Sequence, residues 1–275
     1  MPTLTADDYG EEFLYSGELD LFEEDPDHPC NIWYNKEELC YSRSGDDIVK
    51  PVQLARLETR GKFSFRFGRV EVRAKLPLAN WLRPAIWLVS ENSFYGKFPA
   101  SGEIDLMEGS GNKEYHCGVT SRGVDTVQTN LHFGPPDLDH HWSNFTLKSN
   151  KTVTFADDFH IWVLDWTDEH LAYSIDGEEI YRLKAPGEPG GLFDYAGFQG
   201  DNIYAQGGPM APFDKEFHFI LSFGSGGWPF YDHCDPPAPW SQESSTPRKE
   251  FWNARSEWFS TWQQPFSIDY IIVYQ

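Results

Sequence analysis

An all-β sandwich or barrel is the fold class this sequence predicts, and three observations carry it. Apolar and polar residues alternate with period two at several places along the chain, as they do in half-buried strands. No long segment holds the 3.6-residue apolar period of a helix. Glycine and proline, 23 and 19 residues, punctuate the chain too often for long helices. With 275 residues and a hydrophobic fraction of 40%, the chain can fill a sizeable core. No linker or internal repeat divides it, so residues 1–275 read as a single domain.

The strands follow in order. KFSFRFGRVEVRAKL, Lys62 to Leu76, alternates on both sides of Gly68 and reads as one strand. Phe159 to Thr167 and His170 to Asp176 repeat the pattern, and Asp176-Gly177 turns the second into EEIYRLK as a tight hairpin. Lys215 to Gly224 and Phe266 to Gln275 complete the clearest set. Between them lie two long, aromatic loops, 187–212 and 226–262. Loops of that length carry function or are held by their own packing.

Acidic residues outnumber basic ones 43 to 22, and the formal charge of −21 excludes nucleic acid and anionic membranes as partners. It also favours a neutral substrate over a polyanion. Aromatics at 16%, with 11 Trp and 13 Tyr, suit the apolar faces of sugars, although most of them should pack the core. No apolar run is long enough to span a membrane, and the acidic opening residues lack the hydrophobic segment of a signal peptide. Four cysteines and two glycosylation sequons, Asn144-Phe145-Thr146 and Asn150-Lys151-Thr152, point to an extracellular, secreted protein. Cys30 and Cys40 enclose a loop whose disulfide would contribute about 3 kcal/mol on the chain-entropy estimate. Whether Cys117 and Cys234 pair is left open by the sequence.

The chemistry concentrates in GEIDLMEG, Gly102 to Gly109. In a regular strand Glu103 and Asp105 share a face, whereas Glu108, five residues on, points to the other. One extra residue between Asp105 and Glu108, a β-bulge, would return Glu108 to the face of the first two, with Ile104 and one of Leu106 or Met107 beneath. Two carboxyl groups converging to about 5 to 5.5 Å can act as nucleophile and acid/base in retaining glycoside hydrolysis. A third beside them would share their titration.

This stretch resembles the E-x-D-x-x-E signature of glycoside hydrolase family 16, in its bulged laminarinase form. The resemblance extends through RLETRGKFSFRFGRVEVRAKLP, PAIWL, TNLHFGP, SIDGEEIY, GGWP, FWNAR and DYIIVYQ, in the family's order. It implies a jelly-roll β-sandwich of two curved antiparallel sheets with a glucan cleft on the concave face. It further implies Glu103 as nucleophile, Glu108 as acid/base and Asp105 as the partner that tunes Glu103. Trp87, His132, Trp228 and Arg56 match substrate-binding positions. The implied function is endo-hydrolysis of β-1,3-glucan of the laminarin type with retention. The alternatives are a non-catalytic β-1,3-glucan recognition module and a glucanase acting on mixed-linkage glucan. A monomer without cofactor or catalytic metal is expected; Asp269 resembles one ligand of a structural calcium seen in some members. Two departures stand out. Arg83 replaces the Trp of W-P-A-x-W, so a stacking platform is lost unless Trp81 supplies it. The start of the chain resembles a segment that members reach only after several opening strands, which would leave the C-terminal strand at a sheet edge.

Overall fold

The computed structural model describes residues 2–20, 41–136, 142–149 and 154–275, the segment 142–149 by its backbone alone. Eleven strands build two antiparallel sheets. They are β1 (Arg56–Glu58), β2 (Gly68–Lys75), β3 (Leu82–Ser90), β4 (Glu103–Gly109), β5 (Thr126–Phe133), β6 (Trp142–Ser149), β7 (His160–Trp166), β8 (His170–Ile175), β9 (Glu178–Lys184), β10 (Phe217–Ser225) and β11 (Ser267–Tyr274). One sheet has the order β6-β5-β4-β3-β10-β1 and the other β9-β8-β7-β2-β11. Their facing sides bury one core that includes Val70, Val72, Leu88, Ile104, Leu131, Trp162, Trp166 and Phe217. The expected sandwich is therefore present, and β11 sits at an edge of the five-stranded sheet.

Local chemistry explains the turns. Asp176 and Gly177 both take positive φ, 51° and 83°, which is what a two-residue hairpin with primed geometry needs between β8 and β9. The expectation of one strand across Lys62 to Leu76 is only half met, because β2 begins at Gly68. Phe67 and Gly68 adopt φ of 60° and 134°, and a Cβ at Gly68 would lie 2.6 Å from the carbonyl oxygen of Tyr274. That break turns the chain out of the ladder, leaving Phe65 in a single bridge to Phe217.

The loop 226–262 is held by its own aromatics. It contains two short helices, Pro247–Asn253 and Arg255–Trp258. Their Phe251, Trp252 and Trp258 join Phe230, Trp240, Tyr115 and Trp81 in a second buried cluster. Phe251 and Trp258 stack with centroids 4.2 Å apart. A disulfide between Cys117 and Cys234 ties this loop to the body, which answers the pairing the sequence left open. The expected Cys30–Cys40 disulfide and the second sequon lie outside the described residues, as does the side chain of Asn144. Among the described residues no helix is long and apolar enough to cross a membrane.

Candidate functional site

The bulge inferred from the spacing of GEIDLMEG is present. Trp87 of β3 pairs with Asp105 and the next residue back, Ile86, pairs with Met107, so Leu106 has no partner on β3. The same irregularity appears toward β5, where Gln128 pairs with Glu108 and Asn130 with Asp105. Leu106 and Met107 are both buried in the core, rather than one of the two as expected. With two consecutive side chains directed inward, Glu103, Asp105 and Glu108 share the outer, open face of the six-stranded sheet. Their cross-strand neighbours on that face are His132, Asn130 and Gln128.

Each carboxylate has a different setting. Glu108 is buried; its Oε2 accepts a hydrogen bond from Gln128 Nε2 at 2.8 Å, and its Oε1 lies 3.5 Å from Arg83 Nη1. Asp105 is buried, and its Oδ2 accepts no hydrogen bond, with His132 Nε2 3.2 Å away. Glu103 Oε1 lies 3.9 Å from the same nitrogen. Burial, and then the charge of Asp105, push the Glu103 carboxyl well above the usual carboxylate range. Burial, and then the charge of Glu108, do the same to Asp105. Asn130 Nδ2 holds His132 Nε2 at 2.8 Å, and the buried Tyr173 hydroxyl donates to the Asn130 carbonyl oxygen from below.

Aromatics and arginines frame this row. Trp87 stands on β3 beside Asp105, donates from Nε1 to Ser222 Oγ at 3.0 Å and carries the Arg56 guanidinium 4.9 Å above its ring. Trp228 is 51% exposed at the mouth of the 226–262 loop, with the Arg83 guanidinium 5.1 Å from its ring centre. Phe98 flanks His132, with ring centres 6.1 Å apart. All seven residues singled out from the sequence thus surround one open face. Trp81 does not stand in for the missing Trp, because it is buried among Tyr115, Phe230 and Trp240. Gln128 and Asn130 were missed, although Gln-x-Asn-x-His at 128 to 132 spaces polar residues at period two in an otherwise buried strand. Among the described residues Glu103, Asp105 and His132 could hold a cation, their ligand atoms lying within 4.8 Å of one another. Asp269, by contrast, is engaged by Arg73 Nη1 at 2.6 Å.

Comparison with known proteins bears on what this face serves. The sequence profile of Glycosyl hydrolases family 16 matches residues 45–207, more than half of the chain and all three carboxylates. The chain belongs to glycosyl hydrolase family 16. Within that family it is 40% identical to a beta-1,3-glucan-binding protein of Penaeus monodon, covering 95% of this chain and 71% of that one. It is 32% identical to Gram-negative bacteria-binding protein 1 of Drosophila melanogaster, over 95% of this chain and 52% of the relative. The chain thus spans about half the length of the Drosophila protein. Among solved structures, the laminarinase from Rhodothermus marinus aligns at 26% identity and a TM-score of 0.54, over 82% of this chain and 72% of that one. Family 16 membership accounts for the two-sheet architecture and for the position of the carboxylate row on β4.

Proposed function

We propose that the open face of the six-stranded sheet binds β-1,3-glucan and that glucan recognition is the primary role of this domain. The observation that carries the reading is the likeness, over almost the whole chain, to proteins named for binding β-1,3-glucan. The site supports it. Trp87 and the exposed Trp228 offer flat rings on which a pyranose can lay its C–H face. Arg56, His132, Asn130 and Gln128 offer polar atoms between them. The ligand proposed is a neutral polymer, in keeping with the net charge of −21. The Cys117–Cys234 disulfide supports an extracellular location, since such bonds persist in oxidising compartments. One copy of the chain supplies the whole face, so a monomer suffices.

This ordering reverses the expectation from the sequence, in which hydrolysis came first. Besides the relatives, one contact supports the change. Arg83 and Gln128 engage the two oxygens of Glu108, so a glycosidic oxygen would have to displace one of them before Glu108 could deliver a proton.

A second reading, retaining hydrolysis of the bound glucan, is favoured by the bulge that sets Glu103 and Glu108 on one face. In it Glu103 attacks the anomeric carbon while Glu108 protonates the leaving oxygen, and water, deprotonated by Glu108, then releases the sugar from Glu103. Asp105 positions and tunes Glu103. The likeness to the Rhodothermus laminarinase supports this reading too, and mixed-linkage glucan would be its secondary substrate. Incubation with laminarin, with reducing ends counted and product anomers followed by NMR, separates the two. Saturable binding without release of reducing ends supports recognition. Early β-anomer that disappears in Glu108→Ala supports the hydrolase, and absence of binding sinks both.

A further inference from the structure

Beside Glu108, at the end of the open face marked by Arg83 and Trp228, the surface dips into a recess. Arg83, Glu108, Ser110, Arg122, Thr126 and Gln128 supply its polar wall. Its free space is about 30 Å³, room for about two waters and too little for a sugar ring. Two guanidiniums therefore face one small hollow in a chain that carries 43 acidic residues.

The charges do not cancel within the recess. Arg83 has Glu108 as its ion partner, at 3.5 Å, and its remaining contact is the Trp228 ring. Arg122 pairs with no carboxylate among the described residues. The nearest acidic residue in sequence, Asp125, turns instead to the hydroxyls of Ser121 and Thr126, at 2.6 and 3.2 Å. Glu108 is thus the one carboxylate in the wall, set against two arginines. Arginine pairs act as forked donors for compact oxyanions, and a guanidinium left without a partner gains most from one. The net negative field of the molecule acts over distances that physiological salt screens, so the local pair decides what settles here.

We propose that this recess receives an oxyanion substituent, a sulfate ester or a carboxylate, on the glucan unit that lies beside Glu108. The inference rests on the reading that a glucan occupies the open face, and it changes the ligand from a plain neutral chain to one bearing sparse acidic groups. A densely charged polymer is still repelled by the rest of the surface. Ser110 and Thr126 supply hydroxyl donors at the rim, and Gln128 spans the recess and the carboxylate row.

The test compares sparsely sulfated laminarin, carboxymethyl laminarin and unmodified laminarin by calorimetry, on the wild type and on Arg122→Gln. The expected result is about tenfold tighter binding of at least one modified polymer at low salt, a gain that shrinks as salt rises. In Arg122→Gln the gain falls to about twofold or less while affinity for unmodified laminarin is unchanged. Equal affinity for all three polymers, or a gain that survives Arg122→Gln, overturns the proposal. The arm that gains tells sulfate from carboxylate. A titration of glucose 6-sulfate followed at the Arg122 Nε–H resonance keeps the two readings separable. A wild type that ignores unmodified laminarin refutes glucan recognition, whereas an unmoved Arg122 resonance refutes the oxyanion recess.

Discussion

Replacing Asp105 by Asn should make the protein more stable at neutral pH. Oxygens of Asp105 and Glu103 lie within 4.8 Å of one another, inside a buried row. At an effective dielectric near 20, two unit charges that close repel by about 3.5 kcal/mol. His132, 3.2 Å from Asp105 Oδ2, returns a large part of that, and a net gain of about 1 to 2 kcal/mol is expected from the neutral amide. The sign follows from the titration. The folded-state pKa values of both carboxyls are raised, so ionising them costs stability in full above those values. The cost fades as pH falls through them toward the ordinary range near 4. Urea unfolding of wild type and variant between pH 5 and 8 reads this directly: the advantage of Asp105→Asn should be largest at pH 8 and shrink on acidification. A variant less stable than wild type at pH 8, or an advantage independent of pH, would refute the claim that the carboxylate row is held at a cost to folding.

Other consequences can be checked separately. Deleting Leu106 should remove the bulge yet keep Glu108 on the open face, since Met107 already pairs with Ile86 and Asp105 with Trp87. Loss of the buried Leu side chain should cost about 2 to 5 kcal/mol by denaturant unfolding, with laminarin binding retained. Trp228→Ala should leave unfolding midpoints unchanged, because the ring is half exposed, while weakening laminarin binding by about 1 to 2 kcal/mol in calorimetry. Joint replacement of Cys117 and Cys234 by Ser opens a connection of 117 residues and should lower stability by about 2 to 5 kcal/mol, measured with and without reductant.

Much of this was readable in the residues because it depends on local periodicity. Side-chain parity along GEIDLMEG required a bulge if the three carboxylates were to serve one face, and β4 has it. Asp176-Gly177 announced its hairpin because few residues accept positive φ at both positions. What escaped depends on contacts distant in sequence. The break at Phe67 and Gly68 is set by the backbone of Tyr274, some two hundred residues away, which no local pattern reveals. The burial of Trp81 is decided by Tyr115, Phe230 and Trp240, and the setting of Arg83 by Glu108 and Trp228. The balance between recognition and hydrolysis turns on that last set of contacts, and the motif alone is silent about it.

The central claim is that the open face of β3, β4 and β5 binds β-1,3-glucan, and calorimetric titration of laminarin into the wild type and into Trp87→Ala tests it most directly. Saturable heat for the wild type, with affinity reduced roughly tenfold in the variant, is the predicted result. A wild type that gives no binding heat, or a Trp87→Ala variant that binds as tightly as wild type, would contradict it.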